Sequence, residues 1–216
     1  MGKYDTRFYN TIRSGTQASA GVVVPLVCEL VSPETMIDIG CGEGWWAQAF
    51  ADCGVDATGV DGSYVSSSPL GDRFIAHDLS TPLPVLGTYD LAMSLEVAEH
   101  LPPHRATSFV ADLCRLAPVV LFSAAVPGQG GTGHVNEQWP SYWVEKFQSH
   151  GYRVTGALRW TLWEDDRVEN WYRQNLMLAV AEDHWCSDAL TELLESPLSP
   201  MWPVVHPVLF DHVRGA

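Results

Sequence analysis

Basic residues are scarce in this chain of 216 residues, which sets 12 Lys and Arg against 26 Asp and Glu for a formal net charge of −14. A protein that grips nucleic acid through its phosphates needs clustered Lys and Arg, and none is visible, so nucleic acid is not an expected partner. Long apolar runs are also lacking. None approaches 18 residues, and the chain does not open on a charged region followed by an apolar core and a cleavage site. Membrane spanning and secretion are therefore not expected, and a cytoplasmic location is. The five cysteines (Cys28, Cys41, Cys53, Cys114 and Cys186) are odd in number and form no C-x-x-C pair, the usage of reduced thiols. Internal repeats and low-complexity tracts are missing too. With 46% hydrophobic residues, the length suffices for one α/β domain with its own core and a decorated C-terminal end.

What is present centres on Met36 to Trp45, M-I-D-I-G-C-G-E-G-W. A short apolar run ends in Asp38, glycines follow at positions 40, 42 and 44, and a helical pattern begins. A strand that stops at such a turn lets backbone N–H groups and a helix start approach a small, partly anionic ligand.

Around it the apolar spacing predicts a helix over 17–31, with Pro25 as an internal blemish, and a strand over 35–39. A helix over 44–53 turns Trp45, Trp46, Ala49 and Phe50 inward. Strands are predicted at 55–60, 73–77, 89–95 and 119–123, and helices at 103–116 and 139–148. Two β-like runs, 152–160 and 175–182, come last. Alternating strands and helices argue an α/β, doubly wound, mostly parallel sheet with helices on both faces, and the last two runs argue an antiparallel hairpin at its edge. Residues 1–16, with Tyr4, Phe8 and Tyr9, read as a lid over the glycine turn. Residues 183–216, carrying Pro197, Pro200, Pro203 and Pro207, read as an irregular wrap.

The spacing Asp38-x-Gly40-x-Gly42-x-Gly44 departs from the G-x-G-x-x-G of dinucleotide sites, since Trp45 and Trp46 stand where the third glycine would pack. It resembles motif I of the class I S-adenosylmethionine-dependent methyltransferases, and the resemblance continues over residues 17–182. It implies a seven-stranded sheet of order 3-2-1-4-5-7-6 with the last strand antiparallel. It also implies a cofactor site. Asp38, Gly40, Cys41, Gly42, Gly44 and Trp45 would form the cradle, Asp61 would accept both ribose hydroxyls beside Gly62, and Asp78 would take the adenine amino group. Leu79, Ser94 and Leu95 would complete the wall. Asp78 could instead cap the following turn, and Cys41 reads as a small filler, not a nucleophile.

Downstream, Y-D-L-A-M-S-L-E-V-A-E-H-L places Glu96, Glu99 and His100 at i, i+3 and i+4, on one face of a helical turn. A second imidazole, His134, sits in G-G-T-G-H-V-N-E-Q-W. The pair of segments is similar to the E-x-x-E-H plus distant His of small-RNA 3′-terminal 2′-O-methyltransferases, and its first half resembles ubiquinone-pathway O-methyltransferases. The resemblance implies Glu96, Glu99, His100 and His134 as ligands of Mg²⁺, Mn²⁺ or Zn²⁺, with His100, His134 and Glu96 as the catalytic set. In the alternative, the His only hydrogen-bonds a carboxylate and the Glu lines the pocket. His77, His104 and His150 read as structural or solvent-exposed. Trp139, Trp143, Trp160, Trp163 and Trp171 could stack on an acceptor or serve as core or as a homodimer contact. The run 171–178 reads as the last strand, with Arg173 and Asn175 pointing outward.

The expected activity is O-methylation of a small-molecule or glycan hydroxyl. An RNA 3′ end is the alternative acceptor, although the charge opposes it and neither an N-P-P-Y or D-P-P-Y motif nor a P-C dipeptide is present. A non-catalytic module that keeps the cofactor fold is the third reading.

Overall fold

The computed structural model describes residues 6–65 and 68–215. In chain order the elements are α1 (Thr6–Val31), β1 (Thr35–Ile39), α2 (Trp45–Asp52), β2 (Asp56–Asp61), β3 (Phe74–Ala76), β4 (Leu91–Leu95), α3 (Ala106–Leu116), β5 (Val119–Ser123) and α4 (Pro140–Ser149). Then follow β6 (Tyr152–Thr155), α5 (Ala157–Leu162), α6 (Asn170–Asn175), β7 (Met177–Ala181), α7 (Asp188–Glu195) and α8 (Pro207–Gly215). The seven strands lie in the order β3-β2-β1-β4-β5-β7-β6, parallel except for β7, which runs antiparallel to both its neighbours. This is the sheet that the resemblance implied.

Strand periodicity sorts the core into two layers. On one face Met36, Leu91, Met93, Val119 and Leu121 meet Ala20, Val23, Val24 and Val27 of α1 and Trp46, Ala47 and Phe50 of α2. On the other, Ile37, Ile39, Ala92, Val120 and Phe122 meet Phe109, Val110 and Leu113 of α3 and Trp143 and Phe147 of α4. The α1 residues recur at i, i+3, i+4 and i+7, which puts them on one stripe. By length and hydropathy Arg13–Val31 could cross a membrane; here its apolar stripe packs on α2 and the sheet.

Several elements differ from expectation. Residues 6–16 continue α1 instead of forming a separate segment; Tyr4 and the side chains of Phe8 and Tyr9 lie outside what is described. In α2, Ala47 is fully buried and Ala49 partly so against the core, while Trp45 is half-buried with its indole N–H turned to Glu43 at 2.9 Å. The run 152–160 breaks at Thr155, whose hydroxyl accepts from Ala157 N at 3.1 Å, and Gly156 N then bonds Ser199 O at 2.6 Å. The chain therefore turns into α5. Residues 170–175 form α6, so two helices separate the edge strands where none was expected; a short apolar run does not by itself distinguish strand from buried helix. The C-terminal segment carries α7, capped by Ser187 Oγ accepting from Leu190 N, and α8, with Pro207 at its start.

One buried ion pair supports the site. Arg105 bonds Asp112, and Arg105 also donates to Leu79 O and Thr81 O while Asp112 accepts from Leu83 N at 3.0 Å. The loop after β3 is thereby fastened to α3. Asp112→Ala leaves the guanidinium buried and unpaired, so it is expected to cost about 3–5 kcal/mol of stability in urea unfolding; a loss below about 1 kcal/mol would contradict this.

Candidate active site

The order of strands reverses between β1 and β4, and the crevice at such a switch point is where open α/β sheets bind ligands. A cavity of about 1140 Å³ opens there, and it holds both predicted groups of residues. Its donor end is the glycine turn. Gly40 has φ 87°, and a Cβ on it would fall 2.4 Å from Val97 Cγ2, so only glycine fits between the turn and the segment after β4.

Gly40, Cys41, Gly42, Trp45, Asp61, Gly62, Asp78, Leu79 and Leu95 all line the cavity. Gly44, Asp38 and Ser94 lie behind its wall. Asp38 and Ser94 are 3% and 0% exposed, and burial, reinforced by Asp61, pushes the Asp38 carboxyl well above its usual range. Asp61 accepts from Gly42 N and Gly62 N, both at 2.6 Å, and from the Tyr64 hydroxyl. A carboxylate that already ties the two turns together is fixed in place, and Tyr64 takes the donor role that the resemblance assigns to ribose. Asp78 is exposed, and its Oδ1 caps the turn by accepting from Ser80 N at 2.9 Å. Cys41 is buried, and desolvation raises its thiol pKa well above the usual value, which fits a filler. Arg13 of α1 also lines the cavity. Its Nε and Nη2 grip the two Glu43 oxygens at 3.0 and 2.7 Å, a fork that holds α1 on the glycine turn.

At the other end, the chain leaves β4 through Glu96, whose φ of 55° turns it into a one-turn helix that carries Glu99 and His100. Val135 N and Asn136 N both bond Glu99 O, at 2.9 and 3.0 Å, and so dock the loop that carries His134. His134 Nδ1 lies 2.8 Å from Glu137, which also accepts from Gly128 N and Gly130 N. Burial would raise the Glu137 carboxyl, but these three donors outweigh it and hold it below its ordinary value. An ionised Glu137 cannot donate, so a proton sits on Nδ1, and Nε2 lies 4.0 Å from Glu99 Oε1. Gly131 (φ 146°) makes room for this ring, since a Cβ there would lie 2.3 Å from Nε2.

Glu99, His100 and His134 each offer a ligand atom, all within 4.8 Å of one another. The rings of His100 and His134 meet edge to face with centroids 4.7 Å apart. Glu99 is fully buried, and neither of its carboxylate oxygens has a hydrogen-bond partner. Burial, and then Glu96, push its pKa well above the ordinary value. Glu96 stands outside this trio. Its Oε1 accepts from Asn175 Nδ2 at 3.1 Å and its Oε2 from Gln129 Nε2 at 2.7 Å.

Asn175 is thus buried against Glu96, and Arg173 is buried too, its guanidinium bonding Trp163 O and Asp166; neither points outward. Of the tryptophans singled out, Trp171 reaches the cavity, Trp143 is core, Trp139 is exposed, and Trp160 pairs with Trp163. His77 lines the cavity near Thr81, while His104 and His150 are exposed. Glu137, Gln129, Asn175, Arg13 and Tyr64 were not anticipated. Glu137 alone had a local signal, three residues after His134.

Residues 22–194 match the profile of the methyltransferase domain family. An uncharacterized methyltransferase of Mycobacterium sp. (strain JLS) is 27% identical over 192 residues, covering 82% of this chain and 69% of its own. One from Mycobacterium bovis is 31% identical over 105 residues, 44% of this chain and 41% of that protein, so the match spans about two-fifths of that relative's length. Among solved structures, the magnesium protoporphyrin IX methyltransferase of Synechocystis with bound S-adenosylmethionine superposes with a TM-score of 0.53 at 21% identity, covering 79% of this chain and 81% of that one. A glycine turn at the switch point of a sheet with this strand order, in a chain whose residues 22–194 carry the family's profile, places the protein among the class I S-adenosylmethionine-dependent methyltransferases.

Proposed function

We propose that the chain moves the methyl group of S-adenosylmethionine to a hydroxyl oxygen of a small molecule or glycan, with help from a divalent cation. The observation that carries this reading is Glu99, a fully buried carboxylate with both oxygens unpartnered, beside two imidazoles in the cavity that holds the glycine turn. A buried carboxylate without donors is costly, and a cation removes that cost. The donor set of carboxylate and imidazole fits Mn²⁺ or Zn²⁺. Glu137 holds His134 through Nδ1, the outer-shell arrangement common to metal-ligating histidines. When bound, the ion would lower the pKa of the acceptor hydroxyl.

The chain's own residues do the rest. The glycine turn, Asp61 and the wall around Leu79 orient the donor, so that methyl and acceptor oxygen meet in line. The C–O bond forms as the S–C bond breaks, S-adenosylhomocysteine leaves, and the hydroxyl proton passes to the carboxylate and imidazole groups gathered from the segments after β4 and β5. Arg13 is the one Lys or Arg among the described lining residues, and Glu43 already neutralises it. That lining, together with the net charge of −14, favours an acceptor without phosphates.

The test is transfer of tritiated methyl from S-adenosylmethionine into cell fractions separated into small molecules, glycans, protein and RNA. Label is expected in the first or second fraction and is expected to vanish in excess EDTA, with S-adenosylmethionine binding intact by calorimetry. Labelling that persists in EDTA overturns the metal part. Label in RNA alone, together with RNA retention on filters at low salt, would establish the second reading, an RNA 3′ end, which the convergence of E-x-x-E-H with His134 favours.

A further inference from the structure

Glu96 and Glu99 sit three residues apart, yet their surroundings are opposite. Glu99 is bare, buried and within reach of both imidazoles. Glu96 has a donor on each oxygen, and the donors are themselves locked: Asn175 Nδ2 also bonds Gln129 Oε1 at 2.9 Å, closing a three-membered ring of side chains. Behind it, Gln174 Nε2 donates to Asn175 Oδ1 at 3.0 Å, and Gln174 Oε1 accepts from His206 N at 2.6 Å. The orientation of each amide is therefore set by its neighbours. Turning Asn175 over would bring its oxygen against those of Glu96 and Gln129 and lose both hydrogen bonds, leaving Gln129 Oε1 only the longer one from Val126 N at 3.4 Å. A carboxylate held this way lines the cavity but is not available to swing toward the trio without dismantling the ring.

We infer that the cation site of this chain consists of Glu99, His100 and His134, and that Glu96 is not a ligand but is reserved, by the Asn175–Gln129 clamp, to take the hydrogen bond of the acceptor hydroxyl. This rests on the metal part of the reading above. An ion held by these three groups would keep further positions for water and for the acceptor oxygen. Glu96, as a fourth ligand, would occupy one of those positions. The clamp keeps Glu96 at the acceptor instead, and Asn175 and Gln129 are its positioning residues.

The probe is Mn²⁺, titrated into the metal-free chain and followed by electron paramagnetic resonance, with S-adenosylmethionine binding measured in parallel to confirm that each variant is folded. Glu96→Gln keeps the shape and the hydrogen-bond reach of the side chain, and its Mn²⁺ affinity is expected to stay within tenfold of wild type. Glu99→Gln and His134→Ala are each expected to lose tenfold or more, the range seen when groups supporting a metal site are removed. A tenfold or greater loss in Glu96→Gln makes Glu96 a ligand and overturns the inference, as does a loss below tenfold in Glu99→Gln or His134→Ala. If wild type takes up no Mn²⁺ while still binding S-adenosylmethionine, the metal reading itself fails and the inference falls with it.

Discussion

Asp61→Ala is expected to weaken S-adenosylmethionine binding at least about a hundredfold while leaving the chain folded. The carboxylate sits between two turns from different strands and holds both by their backbone N–H groups, Gly42 and Gly62, each at 2.6 Å. Its loss acts twice. It removes the charged acceptor that the family resemblance assigns to the ribose hydroxyls, where a hydrogen bond to a charged group contributes about 1.5–3 kcal/mol. It also unpins the turn whose N–H groups approach the donor. Two such bonds amount to about 3–6 kcal/mol, and the lower end sets the hundredfold floor. Gly42 lies on an open cavity where water can replace the carboxylate, so the loss of folding stability is expected to be only about 1–3 kcal/mol. Calorimetric titration with S-adenosylmethionine reads the first effect, and thermal unfolding the second. Affinity within a few-fold of wild type would place the ribose elsewhere.

Glu99→Gln is expected to make the metal-free chain more stable at pH 8 and to abolish metal-dependent turnover. Burial, with Glu96 adding to it, holds the Glu99 carboxyl above its ordinary value of 4.5. The folded state therefore binds this proton more tightly than the unfolded state, and stability present below about pH 4.5 is lost as pH rises toward the folded-state value. A glutamine carries no such proton and shows no such loss. In EDTA, the variant and wild type should unfold alike near pH 4 and diverge as pH rises, the variant gaining about 1–3 kcal/mol by pH 8. Asp38 is also raised by burial, but it is present in both proteins and cancels in the difference. Saturating Mn²⁺ should work against this order by stabilising wild type more than the variant, by about 1.4 kcal/mol for each tenfold difference in affinity. Parallel stability curves across pH 4–8 would show that Glu99 pays no desolvation cost in the folded chain.

Trading stability for a bare carboxylate is what a functional site does, and the polar network behind it shows where the sequence stops being informative. The E-x-x-E-H spacing treats Glu96 and Glu99 as equals on one face. Their difference arises from residues far along the chain: Gln129 is 33 positions from Glu96, and Asn175 is 79. Asn175 was read as an exposed strand residue because the W-Y-R-Q-N-L-M-L run mimics strand alternation. Its place in α6, packed under the C-terminal segment, depends on Gln174 accepting from His206, 32 positions later.

The family resemblance carried the strand order, and the sequence by itself determined the strand-turn-helix of the glycine turn and singled out Glu96, Glu99 and His100 after β4 and His134 after β5 as candidates. The turn and the candidates follow from local rules: a glycine at φ 87°, a two-residue or 3.6-residue apolar period, and a carboxylate at a strand end act within a few residues of themselves. Only the tertiary structure decided that Asp61 ties two turns together, that Tyr64 covers it, that Glu99 is bare, and that Glu96 is clamped. A carboxylate's solvation and its donors depend on which distant segments pack over it, and packing is a property of the whole chain.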